Sequence, residues 1–242
     1  MHHVVVEGWS RGASVFHRRD PRAKVAALLV FLVVLATAHR ALPALAAALF
    51  LLLSSALIWT RTPLWGALAR AALVLPFTLV FAGACWLAGD PARGLALVLR
   101  SYLSALAVLL LVATTPLPVL LRGLESSGAP RFLLMVSQFL YRYLFVISEE
   151  AQHMAAAAAS RGATVRGLAG GPRFRAAAGA LAALFARSYG RAEAIHRAML
   201  ARSFPGRFHT VGVLRFGAGD AAFLALASLA PVAARAAIEK LL

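Results

Sequence analysis

The sequence predicts an all-α integral membrane protein with about five transmembrane helices and a cytoplasmic domain of amphipathic helices. Three observations support this fold class. The 242 residues are 61% hydrophobic and only 14% charged, with a mean hydropathy of +0.78, which is more apolar surface than one soluble core buries. The apolar residues form runs of membrane-spanning length. A basic segment with two long stretches of helical periodicity separates the fourth run from the fifth.

Five apolar runs are the candidate transmembrane helices. Each is close to the length that ~30 Å of hydrocarbon requires, although the first is short. Pro76 lies inside the third run and predicts a bend there, because proline removes a backbone donor and clashes with the preceding turn. The runs are residues 23–38, 41–60, 64–88, 95–115 and 219–237.

Arginine placement predicts the orientation of the chain in the membrane. Cations precede the first run, flank the turn between the second and third runs, and are dense between residues 122 and 215. By the positive-inside rule these segments belong in the cytoplasm. We therefore expect a multi-pass protein of the cell (inner) membrane with a cytoplasmic amino terminus. Its expected parts are residues 1–115 with four helices, a cytoplasmic domain at 116–210 and a last helix within 211–242.

The excess of basic residues also has to be weighed against a nucleic-acid partner. Lysine and arginine number 25 against 9 aspartate and glutamate, for a net charge of +16. A membrane protein with a basic cytoplasmic face has the same balance. Aromatic residues in the basic segment recur at helical spacing rather than on a strand platform. The sequence therefore favours a membrane protein with a basic cytoplasmic face, and not a nucleic-acid partner, as the reason for the excess of cations.

The basic segment is predicted to hold one short and two long helices. Pro116 and Pro118 open the short helix. The first long helix runs from Arg131 to about Arg161, and the second follows a break at 167–172 and ends near Arg202. Each has an apolar stripe at steps of three and four residues. The stripes are Phe132, Val136, Phe139, Tyr143 and Ile147 in the first helix, and Phe174, Ala178, Leu181, Phe185, Ser188, Ala192, Ile195 and Met199 in the second.

Each long helix is expected to finish at an arginine flanked by small residues. The two motifs are Ser160-Arg161-Gly162 and Ala201-Arg202-Ser203. A cation at a helix carboxyl end complements the helix dipole, so both arginines have a purely structural interpretation. The alternative is that their planar guanidinium groups, which bind carboxylates or carbonyls in two places, are presented to a partner. The residues alone leave both interpretations open.

Catalytic and metal-binding patterns are weak in this sequence. The histidines are scattered, and no His, Cys or carboxylate pair has ligand spacing within a predicted span. Glu149 and Glu150 point about 100 degrees apart on a helix, so we expect them to pair with arginines such as Arg142 or with a partner. The glycine-rich residues 167–171 lack the Lys-Ser/Thr ending of a phosphate loop. We therefore predict no catalytic residue, metal ligand or cofactor in this chain.

Two other classes of function fit parts of the pattern. An integral membrane enzyme acting on lipid-linked substrates would need clustered acidic or histidine residues at the membrane edge. The available aspartates, Asp20, Asp90 and Asp220, are far apart in the sequence. A scaffold for anionic lipid fits the charge but not the arginine motifs at two helix ends.

A set of landmarks carries a family resemblance over residues 14 to about 208. They are the segment from Ser14 to Lys24, Thr114-Thr115-Pro116, Tyr141-Arg142-Tyr143, Glu149-Glu150-Ala151 with Met154, and the segment from Met199 to Phe204. In this order and spacing they resemble the transmembrane T component of energy-coupling factor (ECF) transporters, which belong to the ATP-binding-cassette (ABC) importers. Within that group the chain is most similar to the CbiQ family of cobalt uptake.

The resemblance implies a role without covalent chemistry. The segment 116–210 would be a coupling domain, in which the helix ends carrying Arg161 and Arg202 dock on cytoplasmic ABC-type ATPase subunits. The crossed helices would pass the ATP-driven motion to a substrate-binding membrane subunit, CbiM-like and possibly accompanied by a small CbiN-like subunit. ATP would be bound by the partner ATPase. Cobalt(II) is the favoured cargo, with nickel or a vitamin as alternatives.

Two positions depart from the pattern of this family. Ser160 stands where the first motif usually has alanine, which is a small-for-small change. Ser203 stands where the second motif usually has glycine, so we expect a different helix end there, with Pro205-Gly206 supplying the stop.

Overall fold

The computed structural model describes residues 8–10, 12, 14–38, 42–161, 171–206 and 216–241, and regular structure in these ranges is helical. This agrees with the predicted all-α class. The helices are α1 Pro21–Thr37, α2 Leu42–Trp59, α3 Leu64–Ala71, α4 Leu75–Leu87, α5 Pro91–Thr114, α6 Leu117–Ser126, α7 Arg131–Ser160, α8 Gly171–Ala201 and α9 Ala218–Leu241, with a 3₁₀ turn, Ala72–Val74, between α3 and α4.

The chain divides into two compact units. The first comprises Met1–Gly128 with Gly212–Leu242 and the second Ala129–Val211. Helices α1 to α6 and α9 therefore form one bundle, and α7 and α8 form the other unit. The predicted limits at 115 and 210 describe a membrane part and a cytoplasmic part. Compactness does not test which side of a membrane a segment occupies, so those limits stay a prediction.

Five helical segments are long and apolar enough to cross a membrane. Four of them agree with the predicted runs. The first predicted run differs, because α1 has only 17 residues, or ~25 Å, and falls short of the hydrocarbon core. A helix predicted to be cytoplasmic, α7, qualifies instead. The five are Leu42–Trp59, Leu64–Leu87, Pro91–Thr114, Arg131–Ser160 and Ala218–Lys240.

The third segment is interrupted at the place that Pro76 predicts. The 3₁₀ turn over Ala72–Val74 separates α3 from α4, and Pro76 occupies the first turn of α4. Proline has no N–H for the carbonyl four residues earlier, which is that of Ala72, and its ring crowds that carbonyl. The tighter turn relieves this conflict.

The core of the bundle consists of leucines and alanines from α1, α2, α3 and α5. Leu49, Leu57 and Leu106 are completely buried. Helix α4 packs along α5, and Gly94 permits this contact, because a Cβ there would lie 2.9 Å from the Ala82 carbonyl oxygen. The short helix α6 confirms the predicted helix after Pro116, and it packs against the start of α1.

A polar network joins α1, α5 and α9 at one end of the bundle. Lys24 is only 6% exposed, and its Nζ donates to Thr114 O at 2.9 Å and Thr115 Oγ1 at 2.8 Å. Asp20 caps α1 by accepting the Arg22 N–H at 2.8 Å, and the Asp20 N–H donates to Asp220 Oδ1 at 3.1 Å. The network satisfies the open carboxyl end of α5 and the amino ends of α1 and α9.

This network corrects the expectation that the aspartates are dispersed. Asp20 and Asp220 are 200 residues apart in sequence but in contact through a hydrogen bond. Each carboxylate accepts backbone N–H groups at a helix start, Asp20 from Arg22 and Asp220 from Asp20 and Gly217. These bonds give both aspartates a capping role in the bundle.

Candidate partner-docking site

The first arginine motif lies at the carboxyl end of α7. The helix ends at Ser160, one residue before the predicted end, and Arg161 is its C-cap. The Arg161 N–H donates to Ala158 O at 3.2 Å, while the Ser160 hydroxyl donates to Ala157 O at 2.9 Å. Both residues are exposed. Gly162, the third residue of the motif, lies outside the described residues.

The second arginine motif ends α8 in a Schellman arrangement. Ala201 is the last helical residue, Arg202 is the cap, and Ser203 adopts a left-handed conformation with φ of +51°. The Ser203 N–H donates to Leu200 O at 3.0 Å and the Phe204 N–H to Met199 O at 3.0 Å, which are the two bonds that define this motif. Ala201, Arg202 and Ser203 are all exposed.

This geometry corrects the expectation for the second motif. The helix stops at Ser203 and not at Pro205-Gly206. Serine adopts the conformation that glycine adopts most readily, and a residue with a Cβ pays roughly 1–2 kcal/mol for it. The two motif hydrogen bonds offset that cost, and Pro205 two residues later prevents the helix from continuing. Ser203 therefore keeps the glycine-type helix end.

Glu150 connects α7 to α8 through two arginines. Its Oε1 accepts a hydrogen bond from Arg187 Nη1 at 2.6 Å, and its Oε2 lies 4.0 Å from Arg191 Nη2. The expected partner, Arg142, lies instead over the ring of Tyr143, 5.9 Å from its centroid. Arg142 is two helical turns away from Glu150 along α7, whereas α8 packs beside it.

The contacts of Glu150 were beyond sequence reasoning. Arg187 and Arg191 are one helical turn apart, which places both on the same face of α8. That spacing is the available signal, but the sequence does not reveal that Glu150, 37 residues from Arg187, faces them.

The apolar stripes of α7 and α8 are largely uncovered. On α7, Phe132, Val136 and Ile147 have exposed fractions of 68%, 42% and 37%, and on α8 Phe174 and Phe185 have 78% and 72%. Phe139 stacks on Tyr143 within the first stripe, and Phe185 of the second stripe stacks on the neighbouring Tyr189. An apolar surface of this extent is typical of a face that meets lipid or another protein.

Comparison with known proteins identifies the family. A model of the family described as cobalt transport protein, CbiQ, matches residues 12–210. The chain belongs to the CbiQ family. The matched range contains both arginine motifs, Glu150 and the two apolar stripes, and it confirms the family that the sequence landmarks predict. CbiQ proteins are transport proteins, and with five apolar helices the chain is a multi-pass membrane protein.

A curated member of the CbiQ family has been aligned with this chain. The cobalt transport protein CbiQ of Rhodobacter capsulatus is 32% identical over 122 residues, which are 50% of this chain and 48% of the relative. The alignment therefore spans about half the length of the relative it matches. Among the described residues of this chain, no group of three or more His, Cys, Asp or Glu is placed to hold a metal ion.

Proposed function

We propose that this chain is the transmembrane coupling subunit of an ECF-type ABC importer. In this role it transmits the motion of cytoplasmic ATPase subunits to a substrate-binding membrane subunit and carries out no covalent step itself. Arg161 and Arg202 are the docking residues for the ATPases, with Ser160, Gly162, Ala201 and Ser203 shaping the two helix ends. ATP is bound by the ATPase subunits.

One observation carries this proposal. Two long helices of the same compact unit each end at an exposed arginine, and neither arginine makes an ion pair with a described residue. A cation at the end of a helix dipole that has no acidic neighbour is available to a carboxylate or carbonyl of another chain. Small flanking residues let the groove of a partner approach the guanidinium closely.

The contacts between α7 and α8 suit the transmission of motion. Glu150 binds Arg187 on the facing helix, so a displacement at the end of one helix is carried to the other. To transmit motion, the α7–α8 pair needs such fixed contacts and a partner with two conformational states. ATP binding and release would provide these two states in the ATPase subunits. The exposed stripes of α7 and α8 are the proposed platform for the substrate-binding subunit, of CbiM type and possibly with a small CbiN-like subunit.

The proposed cargo is cobalt(II). Membership of the CbiQ family supports it, and a T component for nickel or a vitamin is the alternative. The metal would be bound by the substrate-binding subunit, since the described residues of this chain offer no ligand cluster. The proposed membrane orientation has the amino terminus and the α7–α8 unit in the cytoplasm.

Copurification with the ATPase tests the docking residues. The full chain, coexpressed with an ABC-type ATPase from the same cell, is extracted in detergent beside an Arg161→Glu plus Arg202→Glu double variant. The control is Arg131→Glu plus Arg175→Glu, which makes the same charge change at exposed arginines near the amino ends of the same helices.

We expect the double variant at the carboxyl ends to lose the ATPase and the control to retain it. Both variants must remain monodisperse for the comparison to hold. Retention of the ATPase by a folded Arg161→Glu plus Arg202→Glu variant would return both arginines to the role of helix-end stabilisers and refute the proposal.

A further inference from the structure

A cavity of about 540 Å³ lies within the first compact unit, between α1, α2, α5 and α9. Its volume falls in the range of pockets that enclose a small organic ligand or part of a larger one. The cavity is partly open at the surface of the bundle, and Trp59 and Leu226 at its rim are each 72% exposed. Because three of its walls are membrane-spanning candidates, a molecule within the bilayer can enter it sideways.

The walls of the cavity are apolar along most of its length. Phe31, Leu53, Leu110, Leu226 and Phe223 are among the lining side chains. The lining also contains two hydroxyls, but both bond within their own helices: Ser55 Oγ donates to Leu52 O at 2.8 Å and Thr114 Oγ1 to Leu110 O at 2.9 Å. These walls match a hydrocarbon chain and offer little to a polar solute.

Two cations lie at one end of the cavity. Arg19 and Lys24 both line it. The Arg19 Nε is buried and has no hydrogen-bond acceptor among the described residues, and the nearest carboxylate oxygen to its Nη1, Asp220 Oδ1, is 3.9 Å away. That oxygen already accepts the Asp20 N–H. The Arg19 side chain is 30% exposed, so the guanidinium still reaches the opening of the cavity, while its buried Nε–H has an unused donor for an acceptor that enters there.

Lys24 has donor capacity left as well. An ammonium carries three N–H donors, and the described residues provide two acceptors, Thr114 O and Thr115 Oγ1. The cavity thus combines a long apolar compartment with unsatisfied cationic donors at one end. A molecule with an anionic headgroup and a hydrocarbon chain matches this combination in charge and polarity.

We propose that the cavity is a binding site for one anionic phospholipid. An acyl chain fills the space between α1, α2, α5 and α9, and the phosphate accepts hydrogen bonds from Arg19 and Lys24. The lipid would replace missing contacts in the bundle and satisfy the Arg19 guanidinium. The cavity belongs to the first compact unit and the arginine motifs of α7 and α8 to the second, and the proposed lipid site does not depend on the proposed coupling role.

Lipid retention by the full chain tests this proposal. The protein is reconstituted in bilayers of equal parts phosphatidylglycerol and phosphatidylcholine and then released in mild detergent, and the lipid that stays bound is measured by native mass spectrometry. Arg19→Gln removes the proposed phosphate contact, and its control is Arg18→Gln at the neighbouring exposed arginine. Ala56→Phe with Ala227→Phe fills the cavity, and its control is Ala225→Phe on the same helix outside the lining.

The expected results separate the headgroup from the acyl chain. The native chain retains phosphatidylglycerol in preference to phosphatidylcholine, and Arg19→Gln lowers that preference about tenfold, the effect of losing one charge-assisted hydrogen bond. The filled variant retains several-fold less of both lipids. The two controls behave as the native chain does.

Three results would overturn the site. One is equal retention of the two lipids by the native chain, which would show that the anionic headgroup is not recognised. Another is that Arg18→Gln lowers the preference for phosphatidylglycerol as much as Arg19→Gln does, which would mean that the preference comes from surface charge in general. The third is a copurified apolar polypeptide that the cavity-filling substitutions displace in place of lipid. If the filled variant does not fold, Arg19→Gln against Arg18→Gln still decides the headgroup contact.

Discussion

Glu150 on α7 accepts a 2.6 Å hydrogen bond from Arg187 on α8, and the Glu150 carboxylate also faces Arg191 at 4.0 Å. This is the ion-pair link between the two long helices among the described residues. The remaining contacts of α7 and α8 leave large apolar side chains exposed. Glu150 is therefore the acidic side chain that links the two helices, in addition to their packing contacts.

Removing the charge of Glu150 should loosen the pair of helices. We expect Glu150→Gln to raise amide hydrogen exchange several-fold along the facing parts of α7 and α8, because the neutral amide binds two arginines less strongly than a carboxylate does. Glu193→Gln is the matched control, since the ion-pair partner of Glu193 among the described residues is Arg197 of its own helix, at 3.1 Å. Unchanged exchange in Glu150→Gln would show that the apolar contacts alone hold α7 to α8.

Ser203 should be improved by glycine. We expect Ser203→Gly to stabilise the chain by about 1 kcal/mol, because it relieves a left-handed backbone and preserves both Schellman hydrogen bonds. Thermal unfolding in detergent measures the change. Ser188→Gly in the middle of α8 is the control and should destabilise by roughly 0.5 kcal/mol, because glycine has the lower helix propensity. A loss of stability in Ser203→Gly would contradict the assigned helix end.

Lys24→Met tests the polar network of the bundle. The substitution leaves Thr114 O and Thr115 Oγ1 without their donor in a buried environment, so we expect a loss of about 1–3 kcal/mol of unfolding free energy. The control is Lys240→Met at the chain's other lysine, which is exposed. Equal stability of the two variants would mean that Lys24 does not support the carboxyl end of α5.

A side chain at position 94 should destabilise the bundle, whereas a side chain at position 83 should be tolerated. The Cβ of Gly94→Ala would meet the Ala82 carbonyl at 2.9 Å, whereas nothing lies within 4 Å of a Cβ at Gly83. We expect Gly94→Ala to destabilise by about 1–3 kcal/mol and Gly83→Ala to be neutral or slightly stabilising. Both are read from thermal unfolding, and similar values for the two would argue against close packing of α4 on α5.

The side of the membrane occupied by α7 is open to direct measurement. In a Cys85→Ala background, we expect Ser148→Cys to react with a membrane-impermeant maleimide in inverted vesicles and not in intact spheroplasts. This follows from the positive-inside rule for the basic segment. Leu79→Cys, in the middle of an apolar segment, should stay unlabelled from both sides. Protection of Ser148→Cys from both sides would make α7 a membrane span.

Sequence reasoning succeeded where periodicity and helix-breaking residues decide the result. The carboxyl ends of α7 and α8 lie within one residue of the predicted ends at Arg161 and Arg202. The agreement is close because each amphipathic stripe is followed by glycine or proline, which end helices. It failed for contacts between distant residues. The partner of Glu150 and the meeting of Asp20 with Asp220 depend on how helices pack, which local pattern does not encode.

Two further differences have local causes. The apolar run at 23–38 predicts a span, but the helix that forms there has 17 residues. The arginines of the basic segment predict a cytoplasmic α7, although its hydropathy and length also fit a span. At Ser203, residue preference indicated one helix end and the backbone adopted another, since two hydrogen bonds outweigh the preference of a single residue. The docking role of the arginine motifs stays a prediction until a partner is tested.

The junction between α4 and α5 has a consequence for how the protein is made. Gly89, with φ of +83°, closes α4 by donating to Trp86 O, and Asp90 donates to Cys85 O while its side chain accepts the Arg93 N–H at the start of α5. One residue thus finishes a helix and begins the next. Neither helix is complete without that residue, so α4 and α5 should enter the bilayer together as a hairpin during biosynthesis.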